Sequence, residues 1–411
     1  MLRGSVSAAD DWTNLTGRTY EKKTLAALAV LGAFAGSALA AEVQLYGILD
    51  TGVGYSHIDI DKPDVNDVDS LEMKSGVGSG SRWGLKGTEE LGNGLTVGFI
   101  LEDGFDSDTG SEDSTGVMFN RESSLFLQGN FGKIALGRMG ALNSGQSSWS
   151  KVGMINAFGT SYGDFTAQAS NLFSLAGQWD NMIAYETPNF AGFKVFAQYG
   201  MGNQLKDADD KLVGDENEST SDRYYAVGAS YNNGPLSLYF AVDSINYASA
   251  GTGKDIDPDG DDSLTVTFGG NYDFEVVKLY AGAQYFDEIK RSKMKGILQD
   301  VDKFNSANGF ADRMKGWSLG VSAGIPVAGG TVMVGAAYLD AEAADSESSE
   351  KTRNDELTRW IVSAGYDYPF SKRTDVYGVV TYNQDNLKYT DNSADQDPYM
   401  FGVMVGLRHR F

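Results

Sequence analysis

Apolar residues occupy every second position in several segments of this chain, each about ten residues long. In VQLYGILDTGV, Val43, Leu45, Leu49 and Val53 share one face, and PLSLYFAVDS and RWIVSAGYDY repeat the alternation. Successive side chains of a β-strand point to opposite faces, whereas a helix repeats roughly every 3.6 residues. Each segment is therefore predicted to be a strand with one apolar face and one polar or small face.

Short and long connections alternate between these strands. Turns such as ELGNG, GNFG, NNGP and PVAGG are followed by longer polar stretches. The longer stretches lie near residues 59–80, 107–118, 140–180, 203–222, 249–262, 291–314, 344–356 and 390–398. The pattern predicts an all-β fold, a transmembrane antiparallel up-and-down β-barrel of about sixteen strands, with the short turns at one end and the long loops at the other. A barrel of this size encloses an aqueous lumen, whereas about eight strands would be filled by side chains.

Hydropathy and charge restrict the class of protein further. No run of eighteen apolar residues follows residue 40, so no transmembrane helix is predicted. The formal net charge of −23 argues against nucleic acid as a partner, because phosphate binding needs clustered positive charge. Most of the acidic runs fall in the long loops, away from the predicted lipid-facing surface. The chain has no cysteine, so its stability must come from burial and backbone pairing.

The first forty residues follow the plan of a secretory signal peptide with an atypical extension in front of it. Lys22 and Lys23 precede a short apolar run, and Ala38 and Ala40 supply the small residues of a cleavage site. We therefore expect residues 1–40 to be a signal peptide and residues 41–411 to form a single barrel domain.

Five segments resemble the general diffusion porins of Gram-negative outer membranes, in their neisserial and burkholderial branch. They are AEVQLYGILDTGV, SRWGLKGTEELGNGLTVGFILEDGF, FNRESSLFLQGNFGKIALGRM, NMIAYETPNFAGFKVFAQYG and the closing GLRHRF. The resemblance implies a homotrimer in the outer membrane, with a water-filled channel through which ions and small hydrophilic solutes diffuse passively. Its expected partners are lipid, lipopolysaccharide and the barrel-assembly machinery, and it implies no enzyme activity, cofactor or metal.

Strand alternation also predicts which basic residues face the lumen. In SRWGLKG, Trp83 and Leu85 take the apolar face, which turns Arg82 and Lys86 inward. The resemblance implies that Arg82, Lys86 and Arg121 form a basic wall at the pore constriction. Arg138 is a further candidate, although its alternation with Ile134 and Leu136 is equally compatible with a place at the rim.

The resemblance places a long loop inside the lumen, opposite the basic wall. The matching stretch runs from about Gly140 to Gln178 and is far longer than an ordinary connection. Asp164 is its expected acidic constriction residue, and its aromatic residues are expected to pack the loop against the wall. These are Trp149, Phe158, Tyr162, Phe165 and Phe173. The loop lacks the Pro-Glu-Phe-Gly type of sequence seen in the family, and Ala184 stands where a basic residue is common.

Phe411 ends a segment in which Val405, Leu407 and Phe411 alternate with polar or small residues. In the resembled family this strand pairs with the first strand and closes the barrel, and its terminal aromatic residue is the signal for barrel assembly. Closure removes the unpaired strand edges that lipid could not satisfy. An ordinary apolar strand residue is the alternative interpretation of Phe411.

Other motifs in the sequence do not support a metal site or a catalytic triad. DIDPDGDDSLTV begins like a calcium loop, but Val266 replaces the bidentate glutamate at its twelfth position. With only His57 and His409, a histidine zinc site or a Ser-His-Asp triad is hard to build. Three alternatives to a general porin stay open: a barrel enzyme, an adhesive barrel with a plugged lumen, and a substrate-specific porin with an aromatic ladder. Ion preference is undecided, because acidic loops attract cations whereas the basic wall favours anions.

Overall fold

The computed structural model describes residues 42–61, 66–159, 176–202, 215–250, 261–290, 311–345, 355–390 and 395–411. The predicted signal peptide lies outside these residues. Within them, no helix is long and apolar enough to cross a membrane.

In these described ranges, seventeen antiparallel strands form one sheet that closes on itself. They are β1 (Glu42–Asp59), β2 (Val68–Ser75), β3 (Arg82–Gly92), β4 (Leu95–Gly104), β5 (Glu122–Gly129), β6 (Gly132–Gly140), β7 (Gln178–Glu186), β8 (Phe193–Gly200), β9 (Arg223–Asn233), β10 (Leu236–Asn246), β11 (Leu264–Asp273), β12 (Lys278–Lys290), β13 (Arg313–Val327), β14 (Gly330–Ala343), β15 (Glu356–Pro369), β16 (Thr374–Lys388) and β17 (Tyr399–Arg410). The barrel closes where residues 48–59 of β1 pair with β17.

The barrel nevertheless has sixteen strand positions, because β2 and β3 share one of them. Both pair with the same edge of β1, β3 along residues 42–48 and β2 along residues 51–58. Residues 76–81, which we call the inward segment, interrupt this shared strand. The stretch 59–80 was predicted to be a loop, and that prediction was wrong for β2. The many polar residues of DSLEMKS conceal an alternation in which Leu71 and Met73 point outward, 75% and 60% exposed.

The alternation predicted for the strands is confirmed. Leu45, Leu49 and Val53 are exposed on the outer surface, whereas Asp50 between them is fully buried on the inner side. The same division continues around the sheet, since register partners carry the inward parity from each strand to the next. An all-β closed antiparallel barrel with an apolar exterior and a polar interior is therefore the fold.

Candidate functional site in the lumen

The described part of the predicted inner loop, residues 141–159, follows β6 and lies inside the barrel; we call it the constriction loop. Five of its large apolar side chains are buried, each no more than 2% exposed: Leu142, Trp149, Val152, Ile155 and Phe158. A short 3-10 helix, Val152–Ile155, forms its middle. Ile155 packs against Gly269 and Gly282, where an added Cβ would come within 2.6 and 2.9 Å of its side chain. These wall glycines leave the space in which the loop crosses.

Hydrogen bonds tether the constriction loop to successive strands of the wall. In each bond one partner is an inward-facing side chain and the other is a loop group. The bonds join Gln198 of β8 to the Leu142 amide (2.8 Å), Tyr239 of β10 to the Asn143 side chain (2.9 Å), Asp243 of β10 to the same Asn143, Asn271 of β11 to the Met154 carbonyl (2.8 Å) and Ser322 of β13 to the Ala157 amide (2.9 Å). The loop therefore runs across the lumen from β6 to the far wall and narrows the passage.

Two of the predicted basic residues, Arg82 and Arg121, share one carboxylate on the near wall. Arg121 Nε donates to Glu102 Oε1 at 2.8 Å, and Arg82 Nε lies 3.7 Å from Glu102 Oε2. The Tyr46 hydroxyl donates to the same carboxylate at 3.0 Å. A second guanidinium nitrogen of Arg121 donates to Gln146 of the constriction loop at 3.0 Å. Arg121 is only 4% exposed, and its bond to Gln146 holds the constriction loop against the wall. Arg82, Arg121 and Glu102 together contribute one net positive charge.

Lys86 faces the lumen at a further inward position of β3. Its register partners are Gln44 and Ile100, both of inward parity. The Lys86 ammonium lies 4.9 Å from the centre of the Tyr46 ring. It is exposed to the lumen, on the side of the constriction loop nearer the short turns.

Two further lysines, which were not among the predicted basic residues, belong to the same part of the lumen. The Lys133 ammonium lies 4.4 Å from the Phe126 ring centre and 5.0 Å from that of Trp149. The ammonium of Lys151, a residue of the constriction loop, lies 5.2 Å from the ring centre of Phe196. The aromatic faces attract these cations and cover their aliphatic stems. We call Lys86, Lys133 and Lys151 the lysine row.

The lysine row forms no close ion pair in the described part of the chain, although Glu122 and Glu186 lie near enough to act electrostatically on Lys133 and Lys151. Within the described residues, none of the three ammonium groups has a carboxylate oxygen within 4.0 Å. The two acidic side chains of this region have other partners. Glu122 accepts hydrogen bonds from the amide and hydroxyl of Ser148, at 2.9 and 3.0 Å, and Glu186 pairs with Lys194 at 2.5 Å.

Arg138 has a different environment from the other predicted basic residues. It alternates with the outward-facing Ile134 and Leu136, and its guanidinium pairs with Asp180 at 2.5 Å. It also donates to the Asn120 carbonyl at 2.8 Å, at the loop end of the strands. The structure thus places Arg138 at the outer rim and not on the constriction wall. Asp164, Tyr162, Phe165 and Phe173 lie outside the described residues.

A second charged group lines the wall beside the closure of the barrel. Arg408 of β17 lies 2.9 Å from Asp367 and 2.8 Å from Asp375. It also donates to the hydroxyl of Ser79 in the inward segment, at 2.9 Å. Because this cation has two carboxylates, it adds no positive charge to the lumen.

Strand parity could have identified one of the two missed lysines. Lys133 alternates with Ile134 and Leu136 in GKIALGRM, so the period of two alone turns it inward. Lys151 has no such signal, because it lies in an irregular loop whose path depends on distant wall residues. Only the folded barrel brings it beside Phe196.

Comparison with known proteins agrees with this geometry. The sequence profile of a family described as Gram-negative porin matches residues 26–388. An outer membrane porin protein of Bordetella pertussis is 34% identical over 95% of this chain and its own full length. Outer membrane porin protein 32 of Delftia acidovorans is 31% identical over the same shares. The structure of an anion-selective porin from Comamonas acidovorans aligns with a TM-score of 0.63 and 26% identity, covering 90% of this chain and all of that one.

Proposed function

This chain belongs to the family of Gram-negative porins and forms a diffusion channel in the outer membrane, and from that premise we propose that the channel prefers anions. The observation that carries the proposal is the lysine row: three ammonium groups in and beside the constriction loop without a carboxylate of the described residues at ion-pair distance. The anion selectivity named for the similar Comamonas porin supports the same sign.

The proposed mechanism is electrostatic and needs no movement of the protein. The constriction loop restricts the lumen, so a permeating ion passes close to the lysine row. Charges that line a narrow pore select ions of opposite sign, because the ion loses part of its hydration there. Charge that acts through solvent is screened within about 8 Å at physiological salt. The wall charges therefore dominate the selectivity, although the whole chain carries a net charge of −23.

The test is the reversal potential of the purified channel in a planar bilayer with a potassium chloride gradient. We expect the sign of an anion-preferring channel, and a shift toward cations in the triple variant K86Q/K133Q/K151Q. The matched control is K315Q/K372Q/K388Q, which removes the same charge from residues outside the lumen. A cation-preferring native channel, or equal shifts in the two variants, would overturn the proposal.

Neutral substitution of Arg82 together with Lys86 tests the basic wall predicted from the sequence. Arg82 shares Glu102 with Arg121, so we expect the pair R82Q/K86Q to shift the reversal potential less than the triple lysine variant does. Unchanged selectivity in R82Q/K86Q would remove both residues from the constriction.

We also propose that three copies of the chain assemble into a homotrimer, as the family resemblance implies. Conductance that rises in groups of three steps, together with a trimer mass in native mass spectrometry, would support this assembly. Single, independent steps from a monomeric particle would contradict it. Contacts with lipopolysaccharide and with the barrel-assembly machinery stay predictions from the resemblance, as does the signal role of Phe411.

A further inference from the structure

A recess opens in the inner wall beside Lys86, on the side of the constriction loop nearer the short turns. Its volume is about 250 Å³, and its lining includes Gln44, Lys86, Thr88, Ile100 and Phe126. Gly87 and Phe99 complete the lining. The other five side chains have inward parity and only Phe99 has outward parity, so the recess opens mainly into the lumen. We call it the side recess.

The chemistry of the lining is mixed in a specific way. Lys86 supplies one ammonium group, Gln44 an amide and Thr88 a hydroxyl, whereas Ile100 and Phe126 supply an apolar surface. The ammonium matches one negative charge, and the amide and hydroxyl can hydrogen-bond the same anionic group. The apolar surface of Ile100 and Phe126 does not bind a fully hydrated inorganic ion.

Gly98 allows Phe126 to take its position at the border of the side recess. Gly98 and Phe126 are direct register partners on β4 and β5, and an added Cβ at Gly98 would lie 2.3 Å from Phe126 Cζ. The same Cβ would lie 2.8 Å from the Gly87 carbonyl oxygen. The aromatic ring can therefore lie against the wall only because residue 98 has no side chain.

We propose that the side recess binds small carboxylates that carry an apolar group, such as aromatic acids, while they cross the channel. The inference rests on the proposed anion preference, because the solute must first enter the lumen as an anion. One water molecule occupies about 30 Å³ of the liquid, so the recess has room for a solute of roughly the size of benzoate. It is smaller than the cavities of about 300–1,000 Å³ that hold drug-sized ligands.

A second ammonium group, that of Lys133, contacts the aromatic ring that borders the recess. It lies 4.4 Å from the Phe126 ring centre, so the ring that borders the recess also contacts a second cation. A carboxylate held at Lys86 with its apolar group on Phe126 thus lies in a region that carries two ammonium groups. This arrangement would favour an amphipathic anion over acetate, which cannot reach the apolar surface.

The experiment is a titration of the chloride current through the full-length channel in a planar bilayer. Benzoate should reduce the current along a saturating curve, whereas acetate and the neutral benzyl alcohol at equal concentrations should not. In K86Q the half-saturating benzoate concentration should rise roughly tenfold, as expected for loss of one charge-assisted hydrogen bond. The matched control is K278Q, since Lys278 also lies over a tyrosine ring, 5.5 Å from the centre of Tyr280, but outside the recess.

A second variant, G98A, tests the recess without a change of charge. The new Cβ should displace Phe126 and weaken benzoate inhibition, although G98A retains all three ammonium groups of the lysine row. The proposed binding site would be overturned, even in an anion-preferring channel, by either of two results. One is a linear decrease of the current with benzoate concentration, and the other is an equal change of half-saturating concentration in K86Q and K278Q. Saturable benzoate inhibition in a channel without anion preference would instead overturn the proposed function and leave the recess standing.

Discussion

Arg359 and Asp385 form a fully buried ion pair on the inner wall. Arg359 Nε and a second guanidinium nitrogen lie 2.6 and 2.7 Å from the two carboxylate oxygens of Asp385, and neither side chain is exposed. A bidentate pair of this kind replaces the hydration that both charges lose on burial. It also joins two adjacent strands, since Arg359 and Asp385 are register partners on β15 and β16.

Removal of one partner should therefore be costly. We expect D385N to lower the free energy of unfolding by about 3–5 kcal/mol, because it removes the charge of the carboxylate that two nitrogens of the buried Arg359 guanidinium contact. The control is K388A, which breaks the exposed pair between Lys388 and Glu356 on the same two strands and should cost at most about 1 kcal/mol. Urea unfolding in lipid vesicles, followed by tryptophan fluorescence, measures both. Similar losses of unfolding free energy in D385N and K388A would mean that burial does not increase the contribution of the Arg359–Asp385 pair to stability.

Lys151 provides a pH-dependent test of the lysine row. Burial lowers the pKa of the Lys151 amine from its usual value. Its charge is therefore lost on alkalinisation earlier than that of a free lysine. The reversal potential should therefore move toward cations as the pH is raised from about 7 to about 10. In K151R, whose guanidinium stays charged over this range, the movement should be smaller. Identical pH profiles would exclude Lys151 from the selectivity.

At the scale of the structural elements, the constriction loop and the strands that bind it set the positions of the lumen charges. The constriction loop has little regular structure, and its position depends on bonds to β8, β10, β11 and β13. Asn143 is the central tether, because its side chain bonds both Tyr239 and Asp243 of β10. Loss of a tether leaves buried polar groups on the wall without their partner, which favours other loop positions.

We expect N143A to loosen the constriction loop without unfolding the barrel. The single-channel current should become noisier, and larger neutral sugars should enter the pore in liposome swelling assays. Asn246, at the loop end of the same strand, bonds Arg223 and Asp262 instead of the constriction loop, so N246A is the control. A quiet N143A channel with the native size limit would show that the apolar contacts alone hold the loop.

At the scale of the whole molecule, the barrel closes through both backbone and side-chain bonds. The backbones of Gly47 and Phe411 exchange hydrogen bonds of 3.1 and 3.2 Å beside the β1–β17 pairing. Inside the lumen, Tyr377 of β16 donates to Asp50 of β1 at 2.5 Å and accepts from the Gly78 amide at 3.0 Å. Tyr377 therefore joins the first strand, the inward segment and the last strands.

Removal of the Tyr377 hydroxyl should weaken this closure. We expect Y377F to lower the stability by about 1–3 kcal/mol, because the buried Asp50 carboxylate and the Gly78 amide lose a partner. The temperature at which the folded barrel converts to the unfolded form on a denaturing gel should fall. Y382F is the control, since Tyr382 lies on the same strand but stacks on Tyr399 at a ring distance of 5.6 Å. Equal conversion temperatures for Y377F and the native protein would contradict this role.

The class of the fold and the direction of most strand side chains follow from the amino-acid sequence alone. Period-two alternation is a local property, so it is enough to assign Arg82 and Lys86 to the lumen and Leu45 to the exterior. The order of short and long connections likewise predicts the sixteen strand positions. It does not reveal β2, because the apolar face of that strand holds only a few residues among many charges.

Which charges remain available to a solute is set instead by the folding of the whole barrel. Glu102 is shared by Arg82 and Arg121, Arg408 is paired twice, and the lysine row has no carboxylate at ion-pair distance among the described residues. These relations join residues far apart in the chain, through strand register and an irregular loop. Local periodicity carries no information on such distances. The site therefore depends on the closed barrel, whereas the strands that build it can be recognised one segment at a time.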